Sequence, residues 1–163
     1  MVQVAPGELI DKVTIPEIKR ERIRDAVNFQ NVRTELALLA TGRDGAIAPS
    51  REIDRLTADV KKIHELLWEI EDEIRDCDRR GEFGERFIEL ARSVYRSNDR
   101  RSAVKRQINE LLGSRLVEEK SYTAYWRRFQ RTSFTACRPR LNNASAGYFG
   151  LPLGSAKFVT FFE

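Results

Sequence analysis

The sequence predicts an all-α fold, a helical bundle built on a long antiparallel helical hairpin, with shorter N-terminal helices and an irregular C-terminal tail. Three observations predict it. A heptad seam runs unbroken through residues 51–79, a second stretch of similar length follows across a glycine-containing break, and the two stretches carry opposite charge on their flanks. The 163 residues suffice for one domain with a real core.

The N-terminal residues supply the outer layer. GELIDKVTIPEIKRERI carries Leu9, Ile10, Val13, Ile18 and Ile23 at helical spacing. Pro16 lacks an N–H, so it either opens a helix or kinks one. Thr14 with Glu17 fits a capping box, which would place Pro16 in a first turn. A second short helix, about 26–41, carries Val27, Val32, Leu36 and Leu39. TGRDGAIAPS, residues 41–50, reads as a loop from its Gly, Pro and Ser content.

The hairpin follows. In residues 51–79 the apolar positions are Ile53, Leu56, Val60, Ile63, Leu67, Ile70, Ile74 and Cys77, alternately three and four apart. Ser50 suits the N-cap. RRGEFGE, residues 79–85, breaks the pattern, and a second helix of about 84–112 ends at Gly113. At 1.5 Å per residue each rod is roughly 43 Å long. Folding the pair about residue 82 sets Arg92 near Asp72, Arg96 near Glu69, Arg100 near Glu65 and Lys105 near Asp59. Such flanks select register more than they add stability.

The seam of the second rod is apolar at both ends and polar in its middle: Phe87, Leu90 and Val94, then Asn98, then Val104, Ile108 and Leu111. A polar seam residue costs stability unless its groups find partners. It is either a satisfied network that fixes register, or a site. As a site, Trp68 and Tyr95 form a wall, and Asn98, Asp99, Arg100 and Asp72 aim polar groups at a ligand. A catalytic version takes His64 as base with Glu65 or Asp99 as its orienter, and the arginines Arg92, Arg96 and Arg100 as a phosphate clamp. No nucleophile elbow, phosphate-binding loop, dinucleotide fingerprint or HExxH is present. After the helix stop, GSRLVEEKSY suggests a loop that folds back, with Glu118, Glu119, Lys120 and Tyr122 as rim groups.

Composition narrows the classes further. Cys77 and Cys137 are far apart and His64 is the single histidine, so no metal site is expected, and no cofactor motif is present. No stretch approaches the roughly 18 apolar residues of a membrane span. MVQVAPGELID lacks the pattern of a secretory signal, so a cytoplasmic location is expected. The net charge of +4 resides in the tail: residues 121–163 carry +5 and residues 1–120 carry −1. The balanced body argues against nucleic acid as its partner.

The tail sets the domain division, a helical domain over 1–126 and a basic, aromatic-rich segment over 127–163. Residues 121–163 hold ten of the fifteen aromatics and one acid. Three accounts fit: an extension docked on the bundle, an arm for nucleic acid or an acidic partner, or a segment that is not native coding sequence, such as a shifted reading frame.

The motifs GELIDKVTIPEIKRERI, NVRTELALL, LLWEIEDEIR, FIELARSVYRSNDRR, KRQIN and GSRLVEEKSY, in this order over about residues 7–125, resemble a family of small bacterial all-helical proteins of unknown function. The LW…IED core is similar to a second uncharacterised bacterial helical family. The resemblance implies a compact helical domain in a cell-surface glycan context, beside glycosyltransferases, and supplies no catalytic residue. Its motif positions here are Glu8, Asp11, Lys12, Trp68, Glu71, Asp72, Arg75, Arg92, Tyr95, Asn98, Asp99, Glu118, Glu119, Lys120, Ser121 and Tyr122. The family pattern has no proline in its first helix, so Pro16 is a departure. The expected function is therefore a soluble helical binding or accessory module. Its expected partner is a glycosyltransferase or a small anionic ligand, with homodimerisation open. The alternatives are a small helical enzyme acting on an anionic or sugar-nucleotide substrate, and nucleic-acid binding through the tail.

Overall fold

The computed structural model describes residues 3–121. These form four helices, α1 Pro6–Arg22, α2 Ala26–Ala46, α3 Arg51–Arg80 and α4 Glu85–Leu111, with no strand among the described residues. The expected boundary at 126/127 and the expected tail lie outside them.

The long hairpin forms as its seam predicts. At its open end Ile53, Leu56 and Val60 of α3 pack with Val104 and Ile108 of α4; at its closed end Ile70, Ile74 and Cys77 pack with Phe87, Leu90 and Val94. This pairing makes α3 and α4 antiparallel. Ser50 Oγ accepts the Ile53 N–H at 3.2 Å and starts α3. Gly81, at φ +68°, ends it, and the Glu82 N–H closes on the Cys77 carbonyl at 2.9 Å. Phe83 and Phe87 pack edge to face at 5.3 Å beside the turn.

α1 is the central helix and packs against all three others. Ile10 joins the open-end core, and Val13 and Ile18 are buried with it. Each such side chain contributes about 1.5–3 kcal/mol by leaving water. Pro16 sits inside α1 and does not open it, and the helix starts instead with Pro6 in its first turn. The capping box expected from Thr14 and Glu17 does not form. The Thr14 hydroxyl donates to the Asp11 carbonyl at 2.9 Å, within the helix.

α2 outruns its expected end at residue 41 and takes up half of the expected loop. Asp25 caps its start by accepting the Asn28 N–H at 2.8 Å. Its last turns carry on to Ala46, which brings Ile47 into the core beside Ile10 and Ile53. Burying Ile47 outweighs the weak helix propensity of Gly42 and Gly45. No helix among the described residues is long and apolar enough to cross a membrane.

Candidate functional site

The polar interruption in the α4 seam is real, but its inward residues are Ser97 and Arg101. Asn98 stands half-buried on the shoulder, and Asp99 and Arg100 face outward. Arg101 meets Asp11 of α1 in a two-bond pair, Nε to Oδ1 at 2.7 Å and Nη2 to Oδ2 at 2.6 Å. The planar guanidinium matches a carboxylate in this way, and a lysine does not. Asn98 Oδ1 accepts a further bond from Arg101 Nη1 at 3.3 Å.

His64 of α3 completes the cluster. Its Nε2 lies 3.2 Å from Asp11 Oδ1, and its Nδ1 lies 2.9 Å from Thr14 Oγ1. Asp11, Thr14 and His64 are each 0% exposed. Burial alone would raise the Asp11 pKa, but the bonds from Arg101 and His64 outweigh it and hold the carboxyl far below the usual carboxylate range. Asp11, His64 and Thr14 thus lie in the acid–imidazole–hydroxyl order of a hydrolytic triad, but the Thr14 hydroxyl gives its proton to the Asp11 carbonyl. With all three sealed in the core, no substrate reaches the hydroxyl, so the chain of bonds works as a brace between helices.

A second polar layer lies one turn further along α4. Lys105, 5% exposed, places its ammonium 2.5 Å from Glu8 Oε2 and 2.9 Å from Glu118 Oε2. Burial would lower its pKa, and the two carboxylates reverse that and raise it. Asn109 Oδ1 accepts the Gly7 N–H at 2.7 Å, capping α1 from 102 residues away. Ala5, at the N-cap, makes no side-chain cap bond of its own. Gly7 is required there because a Cβ would meet the Lys105 carbonyl oxygen at 2.5 Å.

Beyond Gly113 the chain turns back along α4, as GSRLVEEKSY suggests. Gly113 takes φ +62°, and the Ser114 N–H closes on the Asn109 carbonyl at 2.9 Å. Four contacts pin the returning segment: Lys105 to Glu118, Arg106 Nη2 to the Glu118 carbonyl and to Glu119 Oε2, each at 3.3 Å, and Lys120 Nζ to Ser102 Oγ at 2.6 Å. Lys105 draws the Glu118 pKa down despite partial burial. Between α4 and this segment lies a groove of about 250 Å³, walled by Ser102, Ala103, Arg106, Asn109, Val117 and Glu118, with Lys120 at its edge.

Glu118 and Lys120 line the groove, and Glu119 holds Arg106 beside it. Trp68 lies half-buried against the last turn of α1, with the Arg22 guanidinium 5.4 Å from its ring centroid. Asp72 and Arg75 are exposed on α3, 3.9 Å apart, and Tyr95 is exposed on α4. Tyr122 lies outside the described residues.

Among the described residues none of the four charge pairs expected across the hairpin forms, and several of their members pair elsewhere. Arg92 bonds Glu89 on its own helix at 2.8 Å, and Asp59 takes Arg55 at 3.1 Å. Glu69 takes Arg22 of α1 at 2.6 Å, while Lys105 goes to Glu8 and Glu118. Neighbours three or four residues along a helix are nearer than those across it, and α1, lying on the hairpin, competes for the rest. One cross-hairpin pair does form near the turn, between Arg86 and Glu73.

Sequence reasoning missed Arg101, Thr14 and Asn109. Gly7 and Asp11 offered a signal, a glycine and an acid among the apolar residues of GELIDKV. Among the described residues no group of three or more His, Cys, Asp or Glu side chains could hold a metal ion.

The model of a family of unknown function, DUF6165, matches residues 1–134. The match therefore starts before and ends after the 7–125 over which the motifs were expected to hold. No curated protein and no solved structure matches the chain.

Proposed function

The chain belongs to this family of unknown function, and we propose that its helical domain is a non-catalytic binding module that takes a small anionic ligand in the groove between α4 and residues 114–121. The groove itself carries the reading. It is a concavity in which Ser102, Arg106, Asn109 and Lys120 stand with the carboxylates Glu110 and Glu118 around the short apolar side chains Ala103 and Val117. The groups best suited to acid–base chemistry, Asp11 and His64, have no exposed surface and are engaged with each other. Anionic sugars of cell-surface glycans, the context that the sequence resemblance implies, fall within this ligand class.

A nuclear magnetic resonance screen of mixed fragments against the isotope-labelled full chain tests the proposal. Anionic members should shift the amides of residues 102–110 and 114–120 together. Shifts clustered instead around Trp68, Tyr95 and Asp72 would move the site to the earlier candidates, and shifts nowhere would remove the binding reading.

A further inference from the structure

Resting on that reading, we infer that the groove selects a carboxylate, seated on the Asn109 amide nitrogen and the Ser102 hydroxyl. The argument is a count of hydrogen-bonding groups. The Gly7 backbone N–H can only donate, so the atom of Asn109 that meets it at 2.7 Å must be the oxygen. This fixes the orientation of the amide and leaves its two N–H donors on the side away from α1. Asn109 is 9% exposed and lines the groove, and among the described residues its amide nitrogen donates to no group.

Ser102 is constrained in the same way. Lysine has no acceptor, so at the 2.6 Å contact the Lys120 ammonium donates and Ser102 Oγ accepts. The Ser102 hydroxyl proton is then left to donate, and it too has no acceptor among the described residues. Arg106 adds the remainder of its guanidinium, since only its Nη2 is engaged, with the Glu118 carbonyl and the Glu119 carboxylate.

Glu110 apart, the acceptors of the same wall are largely used. Glu118 already receives Lys105 at 2.9 Å and Lys120 at 3.4 Å. Ser114 Oγ receives the Leu116 N–H and donates to the Leu116 carbonyl. Around Asn109 and Ser102 the wall thus holds a surplus of donors, and a ligand seated there must be rich in acceptors.

Charge then selects among acceptor-rich ligands. Lys105, Arg106 and Lys120 are matched by Glu8, Glu118 and Glu119, and Glu110 adds a further carboxylate to the lining. The groove therefore offers hydrogen bonds without net positive charge. A phosphate monoester, at about −1.5 to −2, would bring more negative charge against Glu110 and Glu118 than a carboxylate does. A carboxylate brings one charge and two oxygens for two neighbouring donors. At about 250 Å³ the groove is smaller than the roughly 300–1,000 Å³ of drug-sized pockets, which suits an acid with a short body lying on Ala103 and Val117.

The test uses the isotope-labelled full chain at pH 7 with propionate, lactate, inorganic phosphate and glycerol as probes, on wild type and on Asn109→Asp. The aspartate keeps an acceptor for the Gly7 N–H, so the fold is preserved, while the two donors are lost and a negative charge is added. Saturable shifts of the Asn109 side-chain amide with propionate or lactate are expected. Phosphate should bind at least tenfold more weakly, and Asn109→Asp should weaken carboxylate binding by at least tenfold. Phosphate binding as tightly as the carboxylates, or equal carboxylate affinity in Asn109→Asp, overturns the inference. Saturation of the groove by glycerol and not by the carboxylates also overturns it, while leaving the binding groove in place. No shift in the groove with any probe overturns the inference, and the fragment screen then decides the broader reading separately.

Discussion

Asp11 on the first helix and Arg101 on the last form a buried ion pair with both carboxylate oxygens engaged, at 2.7 and 2.6 Å. The pair spans 90 positions of sequence and fixes the rotation of α1 against the hairpin. Desolvating two charges is expensive, so the pair adds little to net stability while making the loss of one partner severe.

Asp11→Asn leaves Arg101 buried without a counter-charge. It should cost about 3–5 kcal/mol in urea unfolding. Substituting both residues by apolar ones, Asp11→Leu with Arg101→Met, should cost much less than the sum of the singles, which a double-mutant cycle reads directly. Additive losses would show that the pair does not act as a unit.

Acid should reveal the same pair. The Asp11 pKa is lowered in the fold relative to its ordinary 3.8, so the unfolded chain takes up the proton first as the pH falls. The stabilisation is complete above the unfolded value and fades as the pH drops below about 4. Glu118 acts in the same direction. Urea midpoints between pH 6 and pH 2 should fall more steeply for wild type than for Asp11→Asn.

Gly7→Ala would normally favour a helix. Here the added methyl would press on the Lys105 carbonyl and on Asn109. A loss of about 1–3 kcal/mol is expected, visible as a lower Tm, and no loss would mean that α1 can slide away from α4.

Thr14→Val keeps the shape of the side chain and removes the hydroxyl that meets His64 Nδ1. A buried ring nitrogen without its partner costs about 1–3 kcal/mol. Thr14→Ser should recover most of this loss in the same thermal unfolding assay.

Glu118→Gln removes the charge that ties the returning segment to Lys105 and Lys120. Trypsin should then cut several-fold faster after Arg115, which lies in that segment, while Glu8 still holds Lys105. An unchanged cleavage rate would assign the hold to Arg106 and Ser102.

The hairpin was legible because a seam spaced three and four apart is a local signal, and α3 begins at Arg51 with Ser50 as its cap, as expected. The length of α2 was less legible. What extends it is the burial of Ile47 against residues from other helices, which no window around Gly42 and Gly45 displays. The site was legible only in outline. A polar interruption in α4 was visible, but adjacent arginines at 100 and 101 look alike until α1 is in place, and Arg101 turns inward because Asp11 waits there. The capping of Gly7 by Asn109 joins two residues with no shared pattern at all.

The centrality of α1 also sets a temporal order. During synthesis the first helix leaves the ribosome with a carboxylate on its apolar face, and its partner arginine is added only after 89 intervening residues. Until α4 emerges, α1 has no complete environment. Closing the domain thus depends on contacts distant in sequence, and it should fold more slowly than bundles whose helices pair only with their neighbours.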